Sequence, residues 1–263
     1  MDDGTVCGRM VAILDAVGAL GTEATLAAVT LTTGIPKPTV RRIAAGLVAR
    51  ELLERTRAGY RLGGHTLALG LRAAEQHGLR DASTPYLQDI FARTREVAWI
   101  STVSDTELVV VNSAFGGNRA EEVRRARWPG VVRDGRFLSS AAGRLVLADR
   151  PELADRLRDR PLPALTRYTP TAWSRLRSLV DEVRDTNVAV ESEESALGYA
   201  CVAAGLRAPD GTLIGMVGVT GRTGGFDPAR FRGHLLSAAT AISGSLDAAD
   251  PPPARIVPAG RGV

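Results

Sequence analysis

Gly34-Ile35-Pro36-Lys37-Pro38-Thr39-Val40-Arg41-Arg42-Ile43-Ala44-Ala45-Gly46-Leu47-Val48 is the stretch on which the reading of the fold turns. Val40, Ile43, Ala44, Leu47 and Val48 recur at helical spacing and make one apolar stripe, while Lys37, Thr39, Arg41, Arg42 and Gly46 fall on the opposite face. Pro36 and Pro38 fall at the first and third positions of this helix, where backbone N–H groups have no intrahelical partner to lose. Downstream, Leu52 to Arg55, a turn through Thr56-Arg57-Ala58-Gly59 and a return Tyr60 to Leu62 predict a β-hairpin with arginines at its tip. Upstream, Met10, Ile13, Leu14 and Val17 stand at i, i+3, i+4 and i+7, a helix that Gly18 and Gly21 close. Between them, Thr25 to Thr33 carries apolar Leu26 and Val29 but is rich in threonine, so propensity alone permits a strand as well as a helix.

Helix, short segment, glycine turn, basic helix and basic hairpin is the order of a winged helix-turn-helix. In that design the second helix of the turn motif enters the major groove and the hairpin meets phosphates. The charge distribution agrees. The net charge is +4, yet Gly34 to Arg61 holds seven basic residues against Glu51 and Glu54, which leaves the rest of the chain at −1. A local excess of this kind points to a polyanion partner. The alternative is that these arginines form only a solvated face.

The run Gly34 to Arg42, with Leu47-Val48 and Gly59-Tyr60-Arg61-Leu62-Gly63 after it, resembles the IclR family of bacterial transcription regulators. In the second half, Gly198-Tyr199-Ala200-Cys201-Val202-Ala203-Ala204 followed by Asp210-Gly211 is similar to that family's effector-domain stretch. The resemblance spans about residues 8 to 247. It implies a two-domain α/β chain, with an N-terminal winged helix-turn-helix (1–70), a linker helix (71–82), a GAF-like α/β effector-binding domain (83–247) and, from composition, a disordered tail (248–263). It departs from the family's usual pattern at Pro38, where a serine is usual, at Glu51, where the chain usually turns on a glycine, and through Gly46 in mid-helix.

Composition sets the outer limits. The 263 residues suit one large or two ordinary domains, and 44% hydrophobic with 24% charged residues is a globular balance. The longest stretch free of Asp, Glu, Lys and Arg is the fourteen residues Gly233 to Leu246, too short to cross a bilayer, and Asp2-Asp3 stand where a leader would be basic. A soluble cytoplasmic protein is expected. Cys7 and Cys201 with His65, His77 and His234 show no C-x-x-C, H-E-x-x-H or ligand-pair spacing, so no metal or cofactor is expected.

Within the second half, Leu67 to Gln76 predicts a helix leading out of the DNA domain, and Tyr86, Leu87, Ile90 and Phe91 mark another. Strands are expected at Ala98 to Val103, Leu108 to Val111 and Val188 to Glu191, with a hairpin of Cys201 to Leu206 and Leu213 to Val219 around Pro209-Asp210-Gly211. Ala114 to Gly130 reads as a glycine- and arginine-rich loop, Ala141 to Ala148 and Thr171 to Asp185 as helices, and Asp227-Pro228 as the start of the last helix.

Ser140-Ala141-Ala142-Gly143 opens an apolar helix whose first N–H groups suit a small anion, or simply form a serine-capped start. The resemblance places Ala141, Ala142 and Gly143 in an effector pocket, with Glu191 where the family has an aspartate and Cys201 where it has a pocket-facing cysteine. Cys201 is equally a small buried strand residue, and Glu191 equally part of a solvated acidic run with Glu193 and Glu194. Together these imply a homodimer or dimer of dimers on an operator, with Lys37, Thr39, Arg41, Arg42 and Arg57 contacting DNA. The implied effector is a hydroxy- or amino-substituted organic acid. Two other readings are a winged-helix protein whose second domain only oligomerises, and a thiol enzyme using Cys201, Glu191 and His234.

Overall fold

The computed structural model describes residues 4–103, 108–125, 131–132, 139–158 and 160–247. Two compact units divide between Ala74 and Glu75. The expected tail lies outside the described residues.

The first unit contains α1 (Val6–Leu20), α2 (Leu26–Thr33), α3 (Lys37–Val48), the hairpin β1 (Leu53–Arg55) and β2 (Tyr60–Leu62), and α4 (Gly64–Gln76), whose last turn crosses the division. Its core is Ile13, Val17, Val29, Ile35, Val40 and Leu47, so the stripe read in α3 is the buried one. The threonine-rich segment is helical because its hydroxyls are satisfied inside the helix. Thr25 caps it by accepting from the Ala28 N–H at 3.0 Å, and the Thr30 and Thr33 hydroxyls donate to the carbonyls of Leu26 and Val29 at 2.7 Å. Burial of Val29 then decides against the strand. Gly34, at φ 70°, makes the left-handed turn into α3. Pro36 is the N-cap of that helix and Pro38 its second residue, one position earlier than the spacing predicts.

Gly78, at φ 62°, interrupts the helix expected over 71–82: α4 ends at Gln76 and α5 (Leu79–Thr94) begins beyond the glycine. The second unit continues with β3 (Val97–Val103), β4 (Leu108–Ala114), α6 (Ala120–Arg125), β5 (Val131–Val132), α7 (Ala141–Asp149), α8 (Pro151–Leu157) and α9 (Trp173–Thr186). β6 (Val188–Ser192), β7 (Tyr199–Arg207), β8 (Leu213–Arg222) and α10 (Arg232–Asp247) complete it. The strands form one antiparallel sheet in the order β5-β4-β3-β8-β7-β6.

Both faces of this sheet are covered. Ala200, Val202, Ala204 and Leu206 of β7 join the core under α5 and α10, while Cys201 and Ala203 join the one under α7 and α9. This two-sided burial explains why β7 reads as a continuous apolar run. Within the expected loop 114–130 the structure places a 3₁₀ turn (Gly117–Arg119) and α6, and residues 126–130 lie outside the described ones. Glu121 and Glu122 in the first turn of α6 and Arg124 and Arg125 in its last suit the helix dipole, a signal the glycines around it obscure. The last helix starts later than Asp227-Pro228 predicts, because a 3₁₀ turn (Pro228–Phe231), capped by the Asp227 carboxylate, precedes it.

Candidate functional site

In the first unit, α3 and the hairpin present one basic surface. Lys37, Arg41, Arg42 and Arg57 are exposed and have no carboxylate partner among the described residues, whereas Thr39 is half-buried. Arg41 and Arg57 share a groove between α3 and the hairpin with Arg55, whose guanidinium lies 5.8 Å from the centre of the Tyr60 ring. Arg61 is taken out of this set: it pairs across the hairpin with Glu54 at 2.5 Å. The hairpin is held against the body by the Tyr60 N–H, which donates to the Ala24 carbonyl at 2.9 Å. Glu51 adopts the left-handed conformation (φ 57°) at the position where a glycine is usual.

The second unit holds a cavity of about 400 Å³ on the α7–α9 side of the sheet. Its floor is a row in register across the strands: Glu191 of β6 faces Cys201 of β7, which faces Thr220 of β8, which faces Val97 of β3. Glu191, Thr220 and Val97 line the cavity, while Cys201 is buried between them. Ser195, Ala196 and Tyr199 form one wall, α6 contributes Glu122, Val123 and Arg125, and Arg222 closes the end of β8. Trp99 of β3 is buried beside the row. Its indole N–H donates to the Thr220 hydroxyl at 3.0 Å, and its ring lies so close over Gly218 that any Cβ there would overlap it.

Glu191 turns inward and is 4% exposed, so the outward alternative is overturned. Its carboxylate accepts from the Ser195 hydroxyl at 2.6 Å and from the N–H groups of Glu194 and Ser195 at 3.2 and 3.1 Å. Burial raises its pKa, an effect these hydrogen bonds oppose. Burial also pushes the Cys201 thiol up to about 12, with the Glu191 charge adding to it. His234 lies 3.1 Å from Asp89 on the opposite helix layer, so the thiol, acid and base of the enzyme reading do not meet.

Ser140 caps α7, its hydroxyl accepting from the Gly143 N–H at 3.1 Å. Ala141, Ala142 and Gly143 are buried in the same layer as Cys201 and are not among the cavity's lining residues. Sequence reasoning missed Arg144. It is 1% exposed, donates to the Val190 carbonyl at 2.6 Å and pairs with Glu194, whose own pKa burial raises. A charge inside the apolar run Ala141 to Ala148 was its signal. Glu122, Arg222 and Trp99 were missed as site residues because their partners lie far along the chain, which no local pattern records.

The sequence profile of the bacterial transcriptional regulator IclR C-terminal region matches residues 71–244, and that of the IclR helix-turn-helix domain matches residues 8–57. The chain belongs to the IclR family. It is a transcriptional regulator with a helix-turn-helix DNA-binding domain and a C-terminal effector-binding domain. The glycerol operon regulatory protein of Streptomyces griseus is 27% identical over 192 residues, 72% of this chain and 74% of that one. An IclR homologue from Microbacterium hydrocarbonoxydans, solved as a complex with 4-hydroxybenzoate, superposes with a TM-score of 0.77 at 22% identity, over 93% of this chain and all of that one. The IclR regulator of Alicyclobacillus acidocaldarius gives 0.78 at 20% identity, over 91% and 97%. No helix among the described residues is long and apolar enough to cross a membrane.

Proposed function

We propose that this regulator is a cytoplasmic homodimer that grips a two-fold related operator. In this reading its grip changes when a small hydroxy- or amino-substituted organic acid enters the cavity. The observation that carries the reading is the cavity's charge layout: a buried carboxylate, Glu191, on the floor and the guanidinium groups of Arg125 and Arg222 towards the opening. Glu191 uses three of roughly four acceptor positions on its carboxylate, which leaves one for a hydroxyl or amine of the ligand. The 4-hydroxybenzoate of the Microbacterium homologue has this two-ended form. Ser140, Ala141, Ala142, Gly143 and Cys201 act in this reading as the packed inner wall that holds the floor in place.

Calorimetry on wild type and Glu191→Gln, with acids matched except for the hydroxyl, tests this. The mutant should lose its discrimination between the two acids while retaining affinity for the carboxylate. Equal wild-type affinity for both acids would take Glu191 out of the contact set.

Dimerisation is supported by α4. None of its residues is buried, although Leu67 and Leu71, one turn apart, are apolar and 66% and 44% exposed. A second copy of the same helix is the occupant that two-fold assembly supplies.

For the DNA surface, Arg42 reads a base edge, Lys37, Arg41 and Arg57 hold phosphates, and Thr39 lies one turn before Arg42 on the same face. Arg42→Ala should cost about 1–3 kcal/mol and relax preference at one operator position. Arg57→Ala should weaken specific and random DNA alike and lower the salt slope by about one. Gel-shift titrations over a salt series separate the two, and identical losses on both DNAs for both mutants would refute the role of Arg42.

A further inference from the structure

We propose that the Glu122–Arg222 ion pair is the element the effector displaces: the ligand's carboxylate replaces that of Glu122 on Arg222 and so frees α6 from the end of β8. This rests on the sensor reading above and goes beyond it, because it names the contact through which occupancy becomes movement.

Three observations converge. Glu122 and Arg222 are a hundred residues apart in sequence, both line the cavity, and their ion pair joins the helix on one wall to the last residue of the floor strand. Glu122 is also the one carboxylate of α6 with two guanidinium partners among the described residues on other segments, since Arg119 stands 3.3 Å from it. Arg119 is anchored independently by Glu96 at 2.5 Å, a pair nearly excluded from water. When Arg222 is taken, Glu122 therefore keeps a cationic neighbour and no charge is stranded, which is the condition for an exchange of partners rather than a loss. The 3₁₀ turn before α6 stays fixed through Arg119 and Glu96, so it is the C-terminal part of the helix, with Val123 and Arg125, that is released.

The start of α7, buried behind the cavity floor, is less suited to the carboxylate. The Ser140 hydroxyl already takes the Gly143 N–H, and the first turn of that helix does not line the cavity. Tyr199 pairs with Arg222 directly across the β7–β8 pair and both line the cavity, so a carboxylate arriving there meets a guanidinium with a phenol on the neighbouring strand. Removing Glu122 should help an acid and leave a neutral ligand indifferent.

The test uses the full-length protein with 4-hydroxybenzoate, the smaller hydroxy acid lactate and the neutral isostere 4-hydroxybenzamide, read by calorimetry and by hydrogen exchange over residues 117–125. Glu122→Gln should bind the acids about tenfold more tightly and the amide unchanged. Arg222→Gln should bind the acids about tenfold more weakly and lose the preference for acid over amide. In wild type, acid but not amide should speed exchange in α6. Both side chains are at the surface end of the cavity, and unchanged melting curves would establish that the variants fold. Acid binding to wild type with neither variant altering affinity would overturn the exchange and leave the sensor standing. Failure of both acids to bind wild type at all would remove the hydroxy-acid reading of the cavity and the exchange together.

Discussion

Cutting the chain after Gly63, ahead of α4 with its exposed Leu67 and Leu71, should weaken operator binding by about 10²–10⁴-fold, although the truncated piece keeps its whole DNA-facing surface. The first unit has its own core of Ile13, Val17, Val29, Val40 and Leu47, and its recognition helix and hairpin lie entirely within residues 37–62. The fragment therefore folds and retains the free cations Lys37, Arg41, Arg42 and Arg57. In the two-fold reading proposed above, what it loses is the second copy. A single small winged helix contacts one half-site, whereas a dimer makes the second contact intramolecular and raises its effective concentration. Fluorescence anisotropy should give the affinity loss, and the salt slope should fall by about half as phosphate contacts halve. Light scattering should show no full-length monomer at micromolar concentration. A full-length monomer that footprints one half-site would defeat the two-fold reading.

Replacing Arg144 with methionine should be the most damaging single substitution in the sensor domain, at about 3–5 kcal/mol. The side chain is enclosed by α7, β6 and the segment after it, with the Val190 carbonyl and the Glu194 carboxylate as partners. Methionine fills much of the volume but removes the guanidinium from both acceptors, leaving Glu194 with its backbone hydrogen bond from Ser192 and no buried cation beside it. The Glu194 side chain is only 17% exposed, so little water can replace the guanidinium. The cost should appear as a fall of roughly 10 °C in the melting temperature of this domain by calorimetry. Adding Glu194→Gln should recover part of that loss, since the stranded charge disappears. A double mutant as unstable as the sum of the two singles would mean that the pair contributes through packing alone.

The helix-turn-helix was legible because its signals are periodic or local. The stripe from Val40 to Val48 fixes which face of α3 is buried, and Gly34 marks the turn before it. The sensor was legible in outline, since apolar runs of strand length alternate with helical ones, and Glu191 stood out as a carboxylate in such a run. What stayed hidden depends on partners far along the chain. Thr25 to Thr33 becomes a helix through hydroxyl bonds and the burial of Val29, neither of which propensity records. The position of α6 depends on Glu96 and Arg222, remote from it in sequence. The break at Gly78 competes with helical periodicity on both sides, and only the left-handed backbone there decides the matter.

The alternation along β7, which sends Ala200, Val202 and Ala204 to one core and Cys201 and Ala203 to the other, bears on how such a sensor can diversify. Inserting or deleting a single residue within 200–206 would exchange the two sets, putting a valine where the cavity floor needs its thiol neighbour and a cysteine under α10. The strand is therefore open to substitution but closed to changes of length. Indels that survive must collect at the turn 208–212 and in the segment 193–198 before β7. The second of these carries Ser195 and Ala196 on the cavity wall. A change of length there would alter the cavity wall, and with it ligand preference, while the scaffold beneath stayed constant.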